Sequence, residues 1–362
     1  MVLSPNRSRL CLASRSCCSA CRFTISGWRA RKEPRPFVAI IDFHNHFYPP
    51  SYLTAVRNGK STLKHTTDDD GNPVLYYPGD YNVVVPGHRD VDFRDQVMAE
   101  HGISTQVLTF TSPGTHVEAP ATAVTLAKQI NDDFAEIKAS KPRFTALATL
   151  PLNDPRASTA ELDRAMTQLG FKGVMLFSNV NGTALSDECY WPMYEKANEL
   201  GAVLYIHPIH PVGVEAMTEY WLMPLLGFVF DTTLAAAKIV FSGVAERFPR
   251  ITWVLAHLGG TVPYLAERLD RGFYAFEDCR RHIDRPPSEY LKRFYYDTVN
   301  FDPKALQCAI NFTDISHVLA GSDYPHKIGS LRQMLDSING LPISDQDRAD
   351  ILGNNTAKLL GL

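Results

Sequence analysis

Residues 41–50 of this 362-residue chain read IDFHNHFYPP, where a mainly apolar run leads into two histidines. The run at 39–43 is typical of a strand that is buried on both faces of a parallel sheet. Residues i and i+2 of a strand point to the same side, so we expect His44 and His46 to project together from the strand's C-terminal end. Two neutral imidazoles in that arrangement can share one metal ion, which needs further ligands from elsewhere in the chain.

The same kind of apolar run recurs along the chain. Eight candidate strands lie at 39–43, 105–110, 144–150, 173–177, 203–206, 252–256, 294–298 and 317–320. Amphipathic stretches typical of helices separate them, which is the rhythm of repeated βα units. A doubly wound sheet has the same alternation, but no Gly-x-Gly-x-x-Gly motif follows any of the eight runs. We therefore predict an α/β fold, a (β/α)8 TIM barrel over residues 37–362.

Residues 50–92 interrupt this rhythm directly after the first strand. They contain DDDGNP at 68–73, a turn-forming cluster, followed by VLYY at 74–77. Asp, Asn, Gly and Pro favour tight turns between antiparallel strands. We therefore predict a small hairpin inserted beside the mouth of the barrel.

Residues 1–36 differ in composition from the rest of the chain. The first 32 contain six arginines and four of the seven cysteines, and the first acidic residue is Glu33. This composition is typical of a transit peptide, and a disordered extension is the alternative. A zinc site at Cys18-x-x-Cys21 would need a second ligand cluster. We expect the protein in the cytoplasm, or in the mitochondrion if this leader is a transit peptide.

The overall composition excludes several functional classes. A net charge of −3 and a pI near 6.5 give no field that would attract nucleic acid or an anionic membrane. The most apolar long segment, 227–244, contains two charged residues, which favours a core helix over a membrane span. Cys189, Cys279 and Cys308 are scattered and imply no disulfide framework, so we expect each to be buried or half-buried in a reducing compartment. Chemistry on a small molecule is the remaining expectation.

Four of the eight strand ends carry residues that bind metals. Besides FHNH at 43–46, the motifs YIHP at 205–208, AHLGG at 256–260 and GSDYP at 321–325 each place a histidine or an aspartate at a strand end. Each motif alone is more often an ordinary polar strand end than a metal site. In a barrel, however, the C-terminal ends of all strands converge on one mouth, where active sites lie. The four motifs together therefore predict a metal site at this mouth.

These motifs, with GVMLFSNVNG at 173–182, resemble those of the amidohydrolase superfamily, most closely its branch typified by aminocarboxymuconate semialdehyde decarboxylase. The resemblance covers about residues 38–362. It implies that His257 is the acid/base histidine. It also implies four metal ligands, which are His44, His46, His207 and Asp323. The fourth strand ends without a lysine that could be carbamylated to bridge a second ion. One divalent ion is therefore implied, with zinc as the first choice and manganese as the alternative.

The same resemblance implies residues that recognise a small-molecule carboxylate. Arg268 aligns with an arginine that reaches into the neighbouring subunit of a homodimer, and Trp221 matches a pocket tryptophan. Arg89 lies a few positions from the place of a second carboxylate-binding arginine, and His210 and His326 stand where the resembling decarboxylase has other residue types. The alternatives are a surface ion pair for Arg268, core packing for Trp221 and plain loop positions for the two histidines.

The chemistry of this residue set permits three functions. A Zn²⁺ ion held by three imidazoles and one carboxylate keeps an open position for water, whose pKa it lowers to about 7. Asp323 and His257 can then transfer protons. We predict a metal-dependent non-oxidative decarboxylase of an unsaturated or aromatic acid. The alternatives are a hydrolase or hydratase of a lactone, amide or unsaturated acid, and a metal-containing binding protein without turnover.

Overall fold

Eight parallel strands form the centre of the structure, a computed structural model that describes residues 39–77 and 80–362. The strands are β1 (Ile41–Phe47), β2 (Thr105–Phe110), β3 (Phe144–Ala146), β4 (Gly173–Phe177), β5 (Val203–His207), β6 (Thr252–Leu255), β7 (Tyr295–Asp297) and β8 (Val318–Leu319). They pair in chain order, and the single bridges Ala148–Val174 and Asn45–Tyr324 join the two halves on either side. The sheet is closed, and the predicted (β/α)8 barrel is confirmed.

The first strand extends further than the sequence predicts. The prediction ends it at residue 43, whereas β1 continues to Phe47 and includes both histidines. The extension is paired with β2, with His46 opposite Thr109, after a register shift between Asp42 and Asn45. The buried Asn45 amide stabilises this shift, because it donates hydrogen bonds to the carbonyls of Asp42 (3.0 Å) and Val107 (3.1 Å).

Helices surround the barrel and alternate with its strands. In the described part of the chain they are α1 (Pro50–Arg57), α2 (Pro86–Arg89), α3 (Val91–Glu100), α4 (Pro120–Ser140), α5 (Pro155–Thr167), α6 (Trp191–Leu200), α7 (Phe228–Phe241), α8 (Val244–Arg247), α9 (Val262–Ala275), α10 (Pro287–Leu291), α11 (Pro303–Phe312), α12 (Leu331–Asn339), α13 (Asp345–Ala349) and α14 (Asn355–Leu360). Several begin with proline, whose fixed φ suits the first helical position and whose missing N–H costs nothing there. Strands β4 and β5 are buried along their whole lengths, so the apolar core lies on both sides of the barrel wall.

The segment at 227–244 lies mainly in a long apolar helix, as expected. A π-helical turn, Met223–Gly227, continues into α7, and the combined 19 residues are long and apolar enough to cross a membrane, with a mean hydropathy of 1.5. The inner face nevertheless packs into the protein core, where Ala236, Ile239 and Val240 are completely buried. We therefore interpret this segment as a helix of the barrel's outer ring, whose other face is exposed.

The insertion after β1 contains the predicted hairpin. Strands Lys64–Thr67 and Pro73–Tyr77 pair antiparallel, and a third strand, Asp80–Val83, extends the sheet. The turn is held by Asp68, whose carboxylate accepts from the backbone N–H and the side-chain amide of Asn72 (2.7 and 3.2 Å). This small sheet connects through α2 to the barrel mouth.

The cysteines agree only partly with their prediction. The leader at 1–36, with its targeting hypothesis and its Cys18-x-x-Cys21 motif, lies outside the described residues. Cys189, Cys279 and Cys308 are free thiols, as expected for scattered cysteines. The expected burial is wrong for Cys189 and Cys308, which are exposed because their helical segments turn them to solvent.

Candidate metal centre

Three histidines and one aspartate converge at the C-terminal mouth of the barrel. They are His44 and His46 from β1, His207 from the end of β5, and Asp323 from the loop after β8. All four are buried, and one ligand atom from each lies within 4.8 Å of the others. Nε2 of His44 is 3.1 Å from Nε2 of His46, and Oδ1 of Asp323 is 3.1 Å from Nε2 of His46. The four predicted ligands are thus brought together.

The arrangement fits a divalent cation. Nδ1 of His207 donates to the carbonyl of Pro208 (2.8 Å), which leaves Nε2 as the lone-pair nitrogen; this atom is buried and has no hydrogen-bond partner among residues 39–77 and 80–362. Burial lowers the pKa of His46 and His207 well below its usual value, so both are neutral, as a metal ligand must be. The imidazole nitrogens and the carboxylate oxygen all present lone pairs to the same buried space, and a cation there would offset their mutual repulsion. Imidazole and carboxylate together suit zinc and manganese.

The carboxylate ligand is ionised despite its burial. Burial alone would raise the pKa of Asp323, but its contacts with His44 and His46 hold that pKa well below the usual value. Burial lowers the pKa of His44, but the nearby carboxylate of Asp297 raises it, and the net result is a pKa of about 10. Without an ion, therefore, His44 carries a proton on Nε2, and a bound metal would replace that proton.

Asp297, at the end of β7, supports the ligand His44 from behind. Its fully buried carboxylate accepts from Nδ1 of His44 (2.6 Å), from the hydroxyl of Tyr205 (3.2 Å) and from three backbone N–H groups, including that of His257 (3.1 Å). Such a partner on the far nitrogen fixes the orientation of a metal-binding imidazole. Sequence reasoning placed a strand here and missed Asp297, although an acid at the end of an apolar strand was an available signal.

His257 lies beside the four ligands without joining them. It follows β6 with a left-handed backbone (φ 53°), and its ring is 5.0 Å from that of His44 and 5.2 Å from that of His207. Its Nδ1 is buried and has no partner in the described part of the chain. Burial lowers its pKa to about 4, so the ring is neutral. His257 is thus placed beside the four donors, and its proton-transfer role stays a prediction.

A second pair of histidines continues the cluster on its other side. The ring of His326 is 4.6 Å from that of His46 and 5.0 Å from that of His88, and its Nε2 is 3.3 Å from the hydroxyl of Thr111. The predicted residue His326 is therefore at the site. His88 was not predicted; its two ring nitrogens are buried and have no hydrogen-bond partner within the described residues.

A cavity of about 180 Å³ lies near the four donors and is connected to them through one aromatic residue of its lining. Phe228 forms part of its wall, and the ring of Phe228 is 6.5 Å from that of His207 and 6.4 Å from that of His257. The predicted residue His210 also lines this cavity, together with His116, which sequence reasoning did not single out. The cavity is therefore the natural place for the part of a substrate that extends away from the ion.

The remaining predicted substrate residues lie further out. Arg89 lines a different cavity, under the inserted hairpin, and donates to the carbonyl of Val84 (2.9 Å). Trp221 is 58% exposed and packs edge-on against Tyr81 of the insertion, so core packing does not explain it. Arg268 is exposed on α9 and forms no ion pair with any described residue, so the surface ion pair considered above is not present.

Comparison with known proteins finds related sequences and structures. Over 279 residues the chain is 35% identical to 2-amino-3-carboxymuconate-6-semialdehyde decarboxylase of Dictyostelium discoideum, and the aligned region covers 75% of this chain and 77% of that protein. The crystal structure of 5-carboxyvanillate decarboxylase from Sphingomonas paucimobilis matches with a TM-score of 0.80 and 25% identity, over 90% of this chain and 100% of that one. A dihydroxybenzoic acid decarboxylase from a Polaromonas species, with bound manganese and the inhibitor 2-nitroresorcinol, matches with a TM-score of 0.75 and 26% identity, over 89% and 97%.

The match to a known family extends over almost the entire barrel. The sequence profile described as amidohydrolase matches residues 41–362, a range that contains the four converging donors and His257. The structural likeness covers the same closed barrel, with the donors at the mouth where this fold places its active sites. The chain therefore belongs to the amidohydrolase family, in the branch of aminocarboxymuconate semialdehyde decarboxylase and related decarboxylases.

Proposed function

We propose that this protein is a metal-dependent non-oxidative decarboxylase of an aromatic or unsaturated carboxylic acid. The observation that carries the proposal is the buried set of three imidazoles and one carboxylate with a neutral His257 beside it and a cavity next to both. Its relatives are named as decarboxylases of acids of this type. A hydrolase would use the same donors, so the reaction type has to be tested by its products.

The residues divide the reaction between them. His44, His46, His207 and Asp323 would hold the ion, which supplies positive charge to polarise the substrate's oxygen atoms. The bond from the ring or chain carbon to the carboxyl carbon breaks, carbon dioxide leaves, and the electron pair stays on carbon, which takes a proton. We assign the transfer of that proton to His257: the neutral imidazole first accepts a proton from solvent and then, as imidazolium, gives it to the carbon. Its ring stands beside the four donors, with Nδ1 unpartnered within the described residues. Asp323 is the second candidate for this proton transfer.

Zinc is the ion that we propose first. Imidazole nitrogens and carboxylate oxygens are both ligands that zinc binds in proteins, and the four donors are buried together. Manganese is the alternative, since a related decarboxylase structure holds it. Elemental analysis of protein purified without added chelator should give about one divalent ion per chain. Two ions per chain, or none, would contradict the single-ion proposal.

We also propose that the protein acts as a homodimer. Helix α7 and the turn before it expose Leu225, Leu226, Phe230 and Leu234, and Tyr264 on α9 is 82% exposed. Helices α7 and α9 contact each other, and an exposed apolar patch on a monomer marks a protein interface. Arg268 lies one helical turn after Tyr264, so its guanidinium could reach a partner docked there. Sedimentation analysis tests the dimer, and a monomer at micromolar concentration would contradict it.

The reaction is tested by its gaseous product. The metal-loaded protein is incubated with a panel of hydroxybenzoic, carboxyvanillic and muconate-type acids and with a panel of lactones, and carbon dioxide and ring opening are measured separately. The proposal predicts carbon dioxide from at least one acid, and none from the Asp323→Ala variant, which lacks a ligand. Ring opening without carbon dioxide would favour the hydrolase, and no turnover in either panel would favour a binding protein.

A further inference from the structure

The cavity near the metal centre is lined by a buried imidazole, that of His116, which has no hydrogen-bond partner among the described residues. His116 follows β2, is 3% exposed, and its ring forms no hydrogen bond with any described residue. Its backbone is held in place, because its carbonyl accepts from the Asn181 amide (2.9 Å) and its ring packs 5.1 Å from that of Phe177. The ring therefore has a fixed position in the cavity wall and unused hydrogen-bonding capacity.

The amide donors of the same wall are already used. The amide of Asn179 donates both to Asp231 (2.9 Å) and to the carbonyl of His210 (3.1 Å), and the amide of Asn181 donates to the carbonyl of His116. Because these amides hold the loops of the cavity together, they are not free to bind a ligand. Among the described residues that line the cavity, the buried side chains that can do so are the ring of His116 and the hydroxyl of Ser112, of which the ring is the larger.

The environment of His116 selects the kind of group it can bind. Burial lowers its pKa to about 4, so the imidazole is neutral at pH 7, with one donor and one acceptor nitrogen. The described residues that line the cavity include no lysine or arginine, and several of them are apolar, among them Val117, Ile209 and Met223. A second carboxylate would lose its hydration there without gaining a cation, whereas a hydroxyl would find a partner of matching chemistry.

His116 and the donor His207 both pack against one aromatic ring. The ring of Phe177 is 5.1 Å from the ring of His116 and 6.5 Å from that of His207, which places His116 in the neighbourhood of the four donors. An aromatic acid whose carboxylate approaches the ion would thus direct the far side of its ring into the cavity.

We propose that His116 is a specificity-determining residue, whose ring hydrogen-bonds an uncharged hydroxyl substituent on the part of the substrate remote from the metal. The proposal rests on the proposed function for the orientation of the substrate. It assigns the preference for a hydroxyl over a methyl group or a second carboxylate to one side chain.

The test is a binding measurement with resorcinol and 3-methylphenol, two neutral probes that differ only by a hydroxyl in place of a methyl group. Calorimetric titration of the metal-loaded wild-type protein should show resorcinol binding roughly tenfold more tightly, because an unpaired buried imidazole penalises the methyl compound. In His116→Leu the ratio of the two dissociation constants should fall to near one. In His116→Gln, which keeps a donor and an acceptor, part of the preference should remain.

The matched control is His65→Leu, at an exposed position of the inserted hairpin, which should retain the wild-type ratio. Circular dichroism checks the fold of each variant, and if His116→Leu does not fold, the His116→Gln and His116→Met variants are compared in its place. An unchanged ratio in a folded apolar variant overturns the role of His116, as does the absence of a preference in the wild type. Neither measurement needs turnover, so a failure to release carbon dioxide from the acid panel would count against the proposed function alone.

Discussion

Asp297→Asn is predicted to weaken metal binding without removing a ligand. One carboxylate oxygen of Asp297 accepts from His44, Tyr205 and the backbone N–H of His257, and the other accepts from two further backbone N–H groups. The asparagine amide keeps one acceptor oxygen, and in place of the other oxygen it has an NH2 group that faces N–H or O–H groups, which are themselves donors. His44 then loses the charged partner that orients its ring, and loss of such a partner typically costs 10- to 100-fold in metal affinity. That range corresponds to about 1.4–2.7 kcal/mol at 25 °C.

The assay is competition with a chromophoric chelator, in which the dissociation constants of zinc and manganese are measured for wild type and variant. Asp284→Asn, at an exposed position, is the matched control and should leave both constants unchanged. Thermal denaturation of the chelated proteins shows whether the variant remains folded. A folded Asp297→Asn variant that binds both ions as tightly as wild type would refute the argument that this carboxylate orients His44.

Three further predictions follow from the same structure. His257→Asn should retain its metal while turnover falls roughly 10²- to 10⁴-fold, whereas His207→Asn should lose the metal; a metal-free His257→Asn protein would instead make His257 a ligand. If Arg268 acts across the interface, about one site in two should be active in verified heterodimers of an Arg268→Ala chain and an Asp323→Ala chain. If no activity is recovered, Arg268 acts within its own chain or takes no part in the reaction. Arg164→Ala should lower the free energy of unfolding, measured in urea, by about 3 kcal/mol. The substitution leaves the buried carboxylate of Glu161 without the guanidinium that donates to both of its oxygens, at 2.7 and 2.9 Å. A loss below about 1 kcal/mol would show that solvent replaces that partner.

The outer parts of the site depended on contacts that no local pattern reveals. Arg89 follows His88 directly in sequence, yet α2 directs the arginine under the hairpin and the histidine towards the metal centre. Asp297 is 253 positions from His44, so nothing near either residue indicates that they form a hydrogen bond. His116 stands in a loop of ordinary composition, and only the packed cavity leaves its ring buried and without a partner among residues 39–77 and 80–362.

The amino-acid sequence by itself determined the barrel and the convergence of its strand-end histidines and aspartate, and the family resemblance selected four of them as metal ligands. Apolar runs of strand length alternate with amphipathic helices, and eight such units have one closed arrangement, in which every strand ends at the same mouth. The polar residues that end β1, β5, β6 and β8 therefore meet at this mouth, among them the four that the resemblance implies as ligands: His44, His46, His207 and Asp323. Only the tertiary structure decided which groups support those ligands and which line the cavity, because burial and hydrogen-bond pairing depend on residues that are distant in the chain.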